Sequence, residues 1–283
     1  MNLLLALLLM TFIIIEAKKL TVEEALTHIN RVPAAIQNVI SRRTNSVHHQ
    51  HKYSEIQNST RIIGGTETTI EEYPYQVALL YQNQQICGGS IVAHSWVLTA
   101  AHCLDWYPPI SDTTIRTGST SRSSGGTVHS IHYYHIHEQN EWFDVRYDVA
   151  TIRVKLPFSD AARAIIPLAN TEWVDGTDAI ITGWGVNEHG ETPDKLHMVA
   201  VPVVDRSICN EKWDGLITDD MICAGDMGIG SCRGDSGGPA VQLNTLHGIV
   251  SWGPYDCGIG LPVIYTNVAH PSIRSFIKRT TGV

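Results

Sequence analysis

The pattern of apolar and polar positions divides the chain into stretches of different periodicity. Residues 3–15 are almost entirely Leu, Ile, Met and Phe, and Glu16-Ala17-Lys18 ends that run abruptly. The run is shorter than the roughly 20 apolar residues that span a bilayer, and it fits the core of a secretory signal cut after Ala17. No Lys or Arg precedes it, so an uncleaved anchor is the alternative. Thr21 to Arg31 then takes helical spacing. Thr21 stands three residues before Glu24, as in a capping box, and Val22, Ala25, Leu26 and Ile29 share a face before Pro33 stops the turn. Residues 41–61 lose all periodicity. They are rich in Ser, Asn and His, including His48, His49 and His51, and read as a solvated linker rather than a metal-binding tract. Asn58-Ser59-Thr60 fits a glycosylation sequon.

From Ile62 onward the texture is that of β-structure. Gln76–Leu80, Trp96–Leu98, Val149–Val154, Ala179–Ile181, Ala200–Val204 and Gly248–Ser251 are short runs rich in Val, Ile and Leu. Gly, Pro, Asn and Asp punctuate them about every ten residues, which predicts an all-β sandwich or barrel. Only Val268–Lys278 returns to helical spacing, through Val268, Ile273, Phe276 and Ile277. The expected organisation is a signal peptide at 1–17, a propeptide at 18–61 and one domain at 62–283.

Composition changes this picture little: 43% hydrophobic and 17% charged residues are ordinary for a globular chain of 283 residues. Charge adds more. Residues 1–61 carry a surplus of +3, so the remainder holds −11 of the net −8. An acidic body repels phosphate backbones and excludes nucleic acid as a partner. The six cysteines, Cys87, Cys103, Cys209, Cys223, Cys232 and Cys257, behind an export signal read as three disulfides. Spacing alone leaves the pairing open.

Three short strings carry the chemistry. In Gly234-Asp235-Ser236-Gly237-Gly238-Pro239, glycines allow a tight turn with amides facing a bound carbonyl, and Ser236 is a nucleophile once a base takes its proton. In Thr99-Ala100-Ala101-His102-Cys103, His102 is that base: a neutral imidazole near pH 7 accepts the proton and later returns it to the leaving amine. In Tyr147-Asp148-Val149-Ala150-Thr151-Ile152, Asp148 opens an apolar strand and can hold the imidazole tautomer. Asp144, in Phe143-Asp144-Val145, is its rival, with a shorter apolar continuation.

In the order His, Asp, Ser, these strings closely resemble the chymotrypsin/trypsin family over about Ile62 to Lys278. Cys87-Gly88-Gly89-Ser90, Gly183-Trp184-Gly185 and Ser251-Trp252-Gly253 add to the match. The resemblance implies two six-stranded antiparallel β-barrels and a C-terminal helix, with the site in the cleft between them. It implies a secreted, monomeric serine endopeptidase acting on polypeptides, subject to protein inhibitors, with no cofactor and no membrane partner. It implies disulfides Cys87–Cys103, Cys209–Cys223 and Cys232–Cys257, and an oxyanion hole from the amides of Gly234 and Ser236. Arg61-Ile62-Ile63-Gly64-Gly65 resembles the family's activation site. Cleavage after Arg61 would free the Ile62 amine to meet Asp235, so a zymogen is expected.

The resemblance also locates the specificity pocket, and there the chain departs from trypsin. Gly230 stands at the floor, where trypsins carry Asp, with Ser231 beside it. The walls are Ser251, Trp252, Gly253 and Val263, and Val263 stands where trypsin has glycine. An uncharged, narrowed slot implies preference for apolar residues, as in chymotrypsin or elastase, and hence activation by a separate tryptic protease. Arg233 is placed at the cleft rim, where it either favours acidic substrate residues or is simply solvated. The stretch matching the trypsin calcium loop, Gly118 to Gly126, holds no carboxylate. His129, His132, His135 and His137 read as surface histidines rather than zinc ligands. Two other roles compete: a protease-like binding protein without catalysis, and a protease of a regulatory cascade.

Overall fold

β2 (Gln76–Tyr81) is buried at every position, and the reason lies on its two faces. Val77, Leu79 and Tyr81 point into one core, while Ala78 and Leu80 pack with Trp184 and Leu196 in another. A strand covered on both sides reads as a continuous apolar run. β9 (His197–Val204) instead alternates buried and half-exposed positions, as a strand with one covered face does. The computed structural model describes residues 21–30, 37, 63–140, 145–159, 164–187 and 189–283. The signal segment, the His-rich linker, Asn58, Arg61, Ile62 and Asp144 lie outside the described residues.

The first barrel closes β2, β3 (Gln84–Ala93), β4 (Trp96–Thr99), β7 (Ala150–Val154), β6 (Thr127–Ile136) and β5 (Thr113–Thr117), in that order. The second joins β9, β10 (Met221–Ala224), β13 (Val263–Asn267), β12 (Thr245–Trp252), β11 (Pro239–Gln242) and β8 (Asp178–Gly183). Pairing of β8 with β9 closes that ring, and the short β1 (Thr66–Glu67) adds to β9 from outside. All pairings within the barrels are antiparallel, as expected for two six-stranded barrels. Turn chemistry fixes two hairpins. Gln82-Asn83 and Leu243-Asn244 take positive φ at both residues, the geometry that matches strand twist in two-residue loops.

Three α-helices can be followed from end to end among the described residues. α1 (Val22–Ile29) has the capping box read from the sequence, with Glu24 N–H donating to Thr21 Oγ1 at 3.2 Å and Thr21 N–H to Glu24 Oε2 at 2.9 Å. α2 (Arg206–Lys212) is capped by Asp205. α3 (Pro271–Thr281) buries Ile273, Phe276 and Ile277 against the first barrel and ends on Gly282 in the left-handed region. Val268, expected on that helical face, is buried but precedes the helix. Pro271 is pre-set for a first helical turn and sets the start there. Among the described residues, no helix is long and apolar enough to cross a membrane.

Candidate active site

His102 sits on a short 3-10 turn, Ala101–Cys103, directly after β4. Asp148 stands two residues before β7, which pairs with β4 so that Thr99 lies opposite Ala150. This register brings imidazole and carboxylate together across 46 positions of sequence. His102 Nδ1 lies 2.8 Å from Asp148 Oδ2, and the His102 backbone N–H donates to Oδ1 at 2.9 Å. Ser251 Oγ donates to Oδ2 at 2.5 Å, and Thr266 Oγ1 donates to the Asp148 carbonyl at 2.7 Å. The pair is buried, with Asp148 only 2% exposed. Burial alone would lower the His102 pKa, but the Asp148 charge and hydrogen bond outweigh it and raise it above the ordinary histidine value. Burial works the other way on Asp148, and the His102 and Ser251 contacts hold its carboxyl below the ordinary range. Both shifts favour an ion pair once the imidazole gains a proton.

The loop carrying Ser236 is braced from both barrels. Asp235 N–H donates to Cys232 C=O at 3.0 Å, Gly237 N–H to Val250 C=O at 2.8 Å, and Gly238 N–H to Asp235 C=O at 2.9 Å. The N–H groups of Gly234 and Ser236 have no partner among the described residues. The Ser236 carbonyl accepts Gly88 N–H from β3 at 2.7 Å, and the Gly88 carbonyl in turn accepts Thr99 Oγ1 at 2.8 Å. Gly237 is required here: φ is +76°, and a Cβ would lie 2.1 Å from Thr99 Oγ1. Gln85 Nε2 donates to the Gly234 carbonyl at 3.0 Å.

Asp235 is wholly buried. Its oxygens accept Gly185 N–H at 2.8 Å and Cys232 N–H at 2.9 Å, with no cation against it among the described residues. Burial pushes its carboxyl up to about 6, against the lowering effect of those two N–H groups. The Gly183-Trp184-Gly185 string takes its meaning here. A Cβ on either glycine would lie within 2.4 Å of the Asp235 carboxylate. Ile63 is already docked nearby, its carbonyl accepting Gly230 N–H at 3.1 Å and its side chain buried.

Gly230, Gly253 and Val263 converge. A Cβ on Gly230 would meet Val263 Cγ2 at 3.5 Å, and one on Gly253 would meet the two Val263 methyls at 3.4 and 3.5 Å. Ser231 Oγ lies 3.4 Å from Tyr265 Oη, and Trp252 packs edge-on against Trp213. Arg233 donates to Tyr255 Oη at 2.8 Å and stacks on its ring, so the tyrosine partners it.

The six cysteines pair as Cys87–Cys103, Cys209–Cys223 and Cys232–Cys257. The first ties the His102 turn to β3, and the third ties the Ser236 loop to the segment after β12. Because Cys87 and Cys103 are bonded to each other, their approach to His102 is not a thiolate metal site. Around residues 118–126 the Arg116 guanidinium donates to the carbonyls of Ser123 and Gly125, placing a cation inside the loop. His132 and His135 are exposed on β6, but His137 is buried, stacked on Tyr147 and bonded to Ser272. Its reading as a surface residue is corrected: β6 ends one residue earlier, and α3 covers the position. Sequence reasoning missed Thr99, Gln85 and Thr266, whose roles come from contacts between distant strands. The doubled role of Ser251, counted only as a pocket wall, was missed for the same reason.

The two antiparallel barrels carry a buried His102–Asp148 pair and a braced loop at Ser236, and likeness to known proteins makes the chain a serine endopeptidase, a hydrolase acting on polypeptides. The chain belongs to the trypsin family, whose family model, described as Trypsin, matches residues 62–277. It is 41% identical over 228 residues to Trypsin epsilon of Drosophila erecta, covering 78% of this chain and 87% of that one. It is 40% identical over 230 residues to a trypsin of Sarcophaga bullata, covering 78% and 89%. Hypodermin-A of Hypoderma lineatum is 38% identical over 230 residues, covering 78% and 88%.

Proposed function

We propose that this chain is the precursor of a secreted serine endopeptidase that acts through His102, Asp148 and Ser236 and prefers apolar residues before the scissile bond. The observation that carries the catalytic assignment is the double hydrogen bond from His102 to Asp148. It commits Nδ1 to the carboxylate and leaves Nε2 as the base. Ser236 Oγ attacks the substrate carbonyl and its proton passes to Nε2. The oxyanion is received by the amides of Gly234 and Ser236, and removal of one such donor costs about 3 kcal/mol in comparable sites. His102 then gives its proton to the leaving amine, the C–N bond breaks, and an acyl-serine remains. Water, deprotonated by the same imidazole, attacks the acyl carbon and restores Ser236.

Activation follows from Asp235. A buried carboxylate without a cation is costly, and the ammonium freed at Ile62 by cleavage after Arg61 supplies one. Docking of Ile63 on Gly230 supports this, because the new terminus would begin one residue earlier. The apolar preference rests on Gly230, which brings no charge, and on Val263, whose methyls occupy the space between the two glycines. A pocket of this kind cuts poorly after Arg61, so a separate tryptic protease activates the chain. Protein inhibitors, a monomeric state and export complete the reading, export being consistent with three disulfides. Profiling the activated enzyme on a peptide library tests it. Cleavage after Leu, Met, Val, Ala, Phe or Tyr is expected, and faster cleavage after Arg or Lys contradicts it.

A further inference from the structure

An eight-residue helix is marginal alone in water, where isolated helices need about 12–15 residues. α1 therefore owes its stability to what it rests on. Ala25 is wholly buried and joins the core of the first barrel, with Val22 and Leu26 packed against the same cluster. At its C-terminal end, His28 Nε2 lies 3.0 Å from Asp105 Oδ1, and Asn30 Nδ2 donates to the Leu26 carbonyl at 2.7 Å.

The position of this helix matters more than its existence. Asp105 stands three residues after His102 and comes close enough for its charge to act on that imidazole. Val22, Glu23, Leu26, Thr27 and Asn30 also line, with Gln84, Arg233 and Tyr255, a groove of about 510 Å³. Arg233 stands three residues before Ser236 and is tied to Tyr255. Gln84 adjoins Gln85, which bonds the carbonyl of Gly234. One helix thus reaches from the turn of the base to the loop of the nucleophile. Its neighbours Gln84 and Asp105 belong to the first barrel, whereas the pocket at Gly230, Gly253 and Val263 belongs to the second.

We propose that α1 is a built-in inhibitor seated across the leaving-group half of the cleft, and that it remains bound there after the chain is cut after Arg61. The inference rests on the catalytic reading above. The surface formed by Gln84, Asp105, Arg233 and Tyr255 takes a short amphipathic helix with Ala25 inward, and on the catalytic reading the substrate chain beyond the scissile bond would run over the same surface. Net charge does not hold the contact, since α1 itself carries Glu23 and Glu24 and no Lys or Arg; the hold rests on the burial of Ala25 and on His28 against Asp105. The segment has no cysteine. After cleavage only non-covalent contacts hold it, and the high effective concentration that the linkage gave is lost. Cleavage arms the enzyme, and dilution opens it.

The test uses the full chain with Arg31, Arg42, Arg43 and Lys52 changed to Gln, so that tryptic cutting between α1 and the domain falls at Arg61. The cleaved protein is compared, before and after separation of the segment, on a short chromogenic amide and on a peptide extended by several residues beyond the scissile bond. The segment is expected to co-elute with the body on gel filtration. KM for the extended peptide should rise by roughly tenfold or more, with kcat unchanged, while the short amide is little affected. Ala25→Arg in the same background, or dilution, should abolish both effects, and His28→Ala should weaken them. Spontaneous separation at micromolar protein, or equal KM with and without the segment, overturns the proposal. A body that hydrolyses neither substrate sinks the catalytic reading instead, and elution of the segment still decides whether α1 is docked.

Discussion

Gly88 donates its backbone N–H to the carbonyl oxygen of Ser236 at 2.7 Å, and together with the Gln85 bond to the Gly234 carbonyl it ties the first barrel to the Ser236 loop of the second. Gly88 also accepts from Thr99, three residues before His102, so the His102 turn and the Ser236 loop share an anchor. His102 and Ser236 lie on different barrels, and their relative position depends on contacts of this kind rather than on either barrel alone.

That anchor is sensitive to bulk. Gly237→Ala places a methyl where Thr99 Oγ1 stands and asks alanine to hold a positive φ, which alone costs ~1–3 kcal/mol. A lowered urea midpoint and a fall in kcat of at least about tenfold are expected from a shift of the loop. Unchanged kinetics would show that the loop tolerates displacement.

Asp148→Asn should lower kcat by ~10⁴-fold, the magnitude seen for this substitution in the family's template enzyme. The neighbouring charge raises the His102 pKa, so activity of the parent enzyme should fall as pH drops through a value above the ordinary 6.5. In the Asn variant that acid limb should move to lower pH. Ser251→Ala removes one donor to the same carboxylate and should lower kcat/KM about tenfold, corresponding to a hydrogen bond to a charged group of ~1.5 kcal/mol. Stopped assays across pH measure both.

Asp235 gives the uncleaved chain a pH signature of unusual sign. Its folded pKa is about 6 against an ordinary 3.8, so between these values the folded form holds a proton that the unfolded form has lost. Stability should therefore decline as pH rises from about 4 to 6, by about 3 kcal/mol from this group. Asp235→Asn should flatten the decline yet leave a chain that cutting after Arg61 does not activate. Denaturant titrations at several pH values check the first part. Arg61→Gln should remain inactive, and full activity in that variant would remove the zymogen from the account.

Val263→Gly should open the pocket between Gly230 and Gly253. Preference should move from Leu, Val and Ala toward Phe and Tyr, by ~1–3 kcal/mol per substrate pair. Ratios of kcat/KM for matched peptides measure it. An unaltered ranking would place the selectivity elsewhere.

The β-texture was legible because apolar runs separated by turn residues report burial directly, but that pattern left sandwich and barrel open, and the two barrels were implied only by the resemblance of the Ser236, His102 and Asp148 strings. The two helical segments followed from capping and one-face spacing, although Pro271 began the second later than its apolar pattern suggested. Ser236, His102 and Asp148 stood out because short strings with glycines, small residues and an apolar continuation surround them. Thr266 and Gln85 carried no such mark. Each acts through a single hydrogen bond to a residue far away in sequence, and only folding creates that neighbourhood. The seat of α1 was hidden for the same reason: its amphipathic face was visible, but its resting place was not.

The most direct test is labelling of the chain by a small organophosphonate, before and after cleavage after Arg61, with the modified residue located by mass spectrometry. The account predicts one label per chain, on Ser236, after cleavage only, and its loss in His102→Ala. Labelling at another residue, or equal labelling of Ser236 without His102, would contradict it.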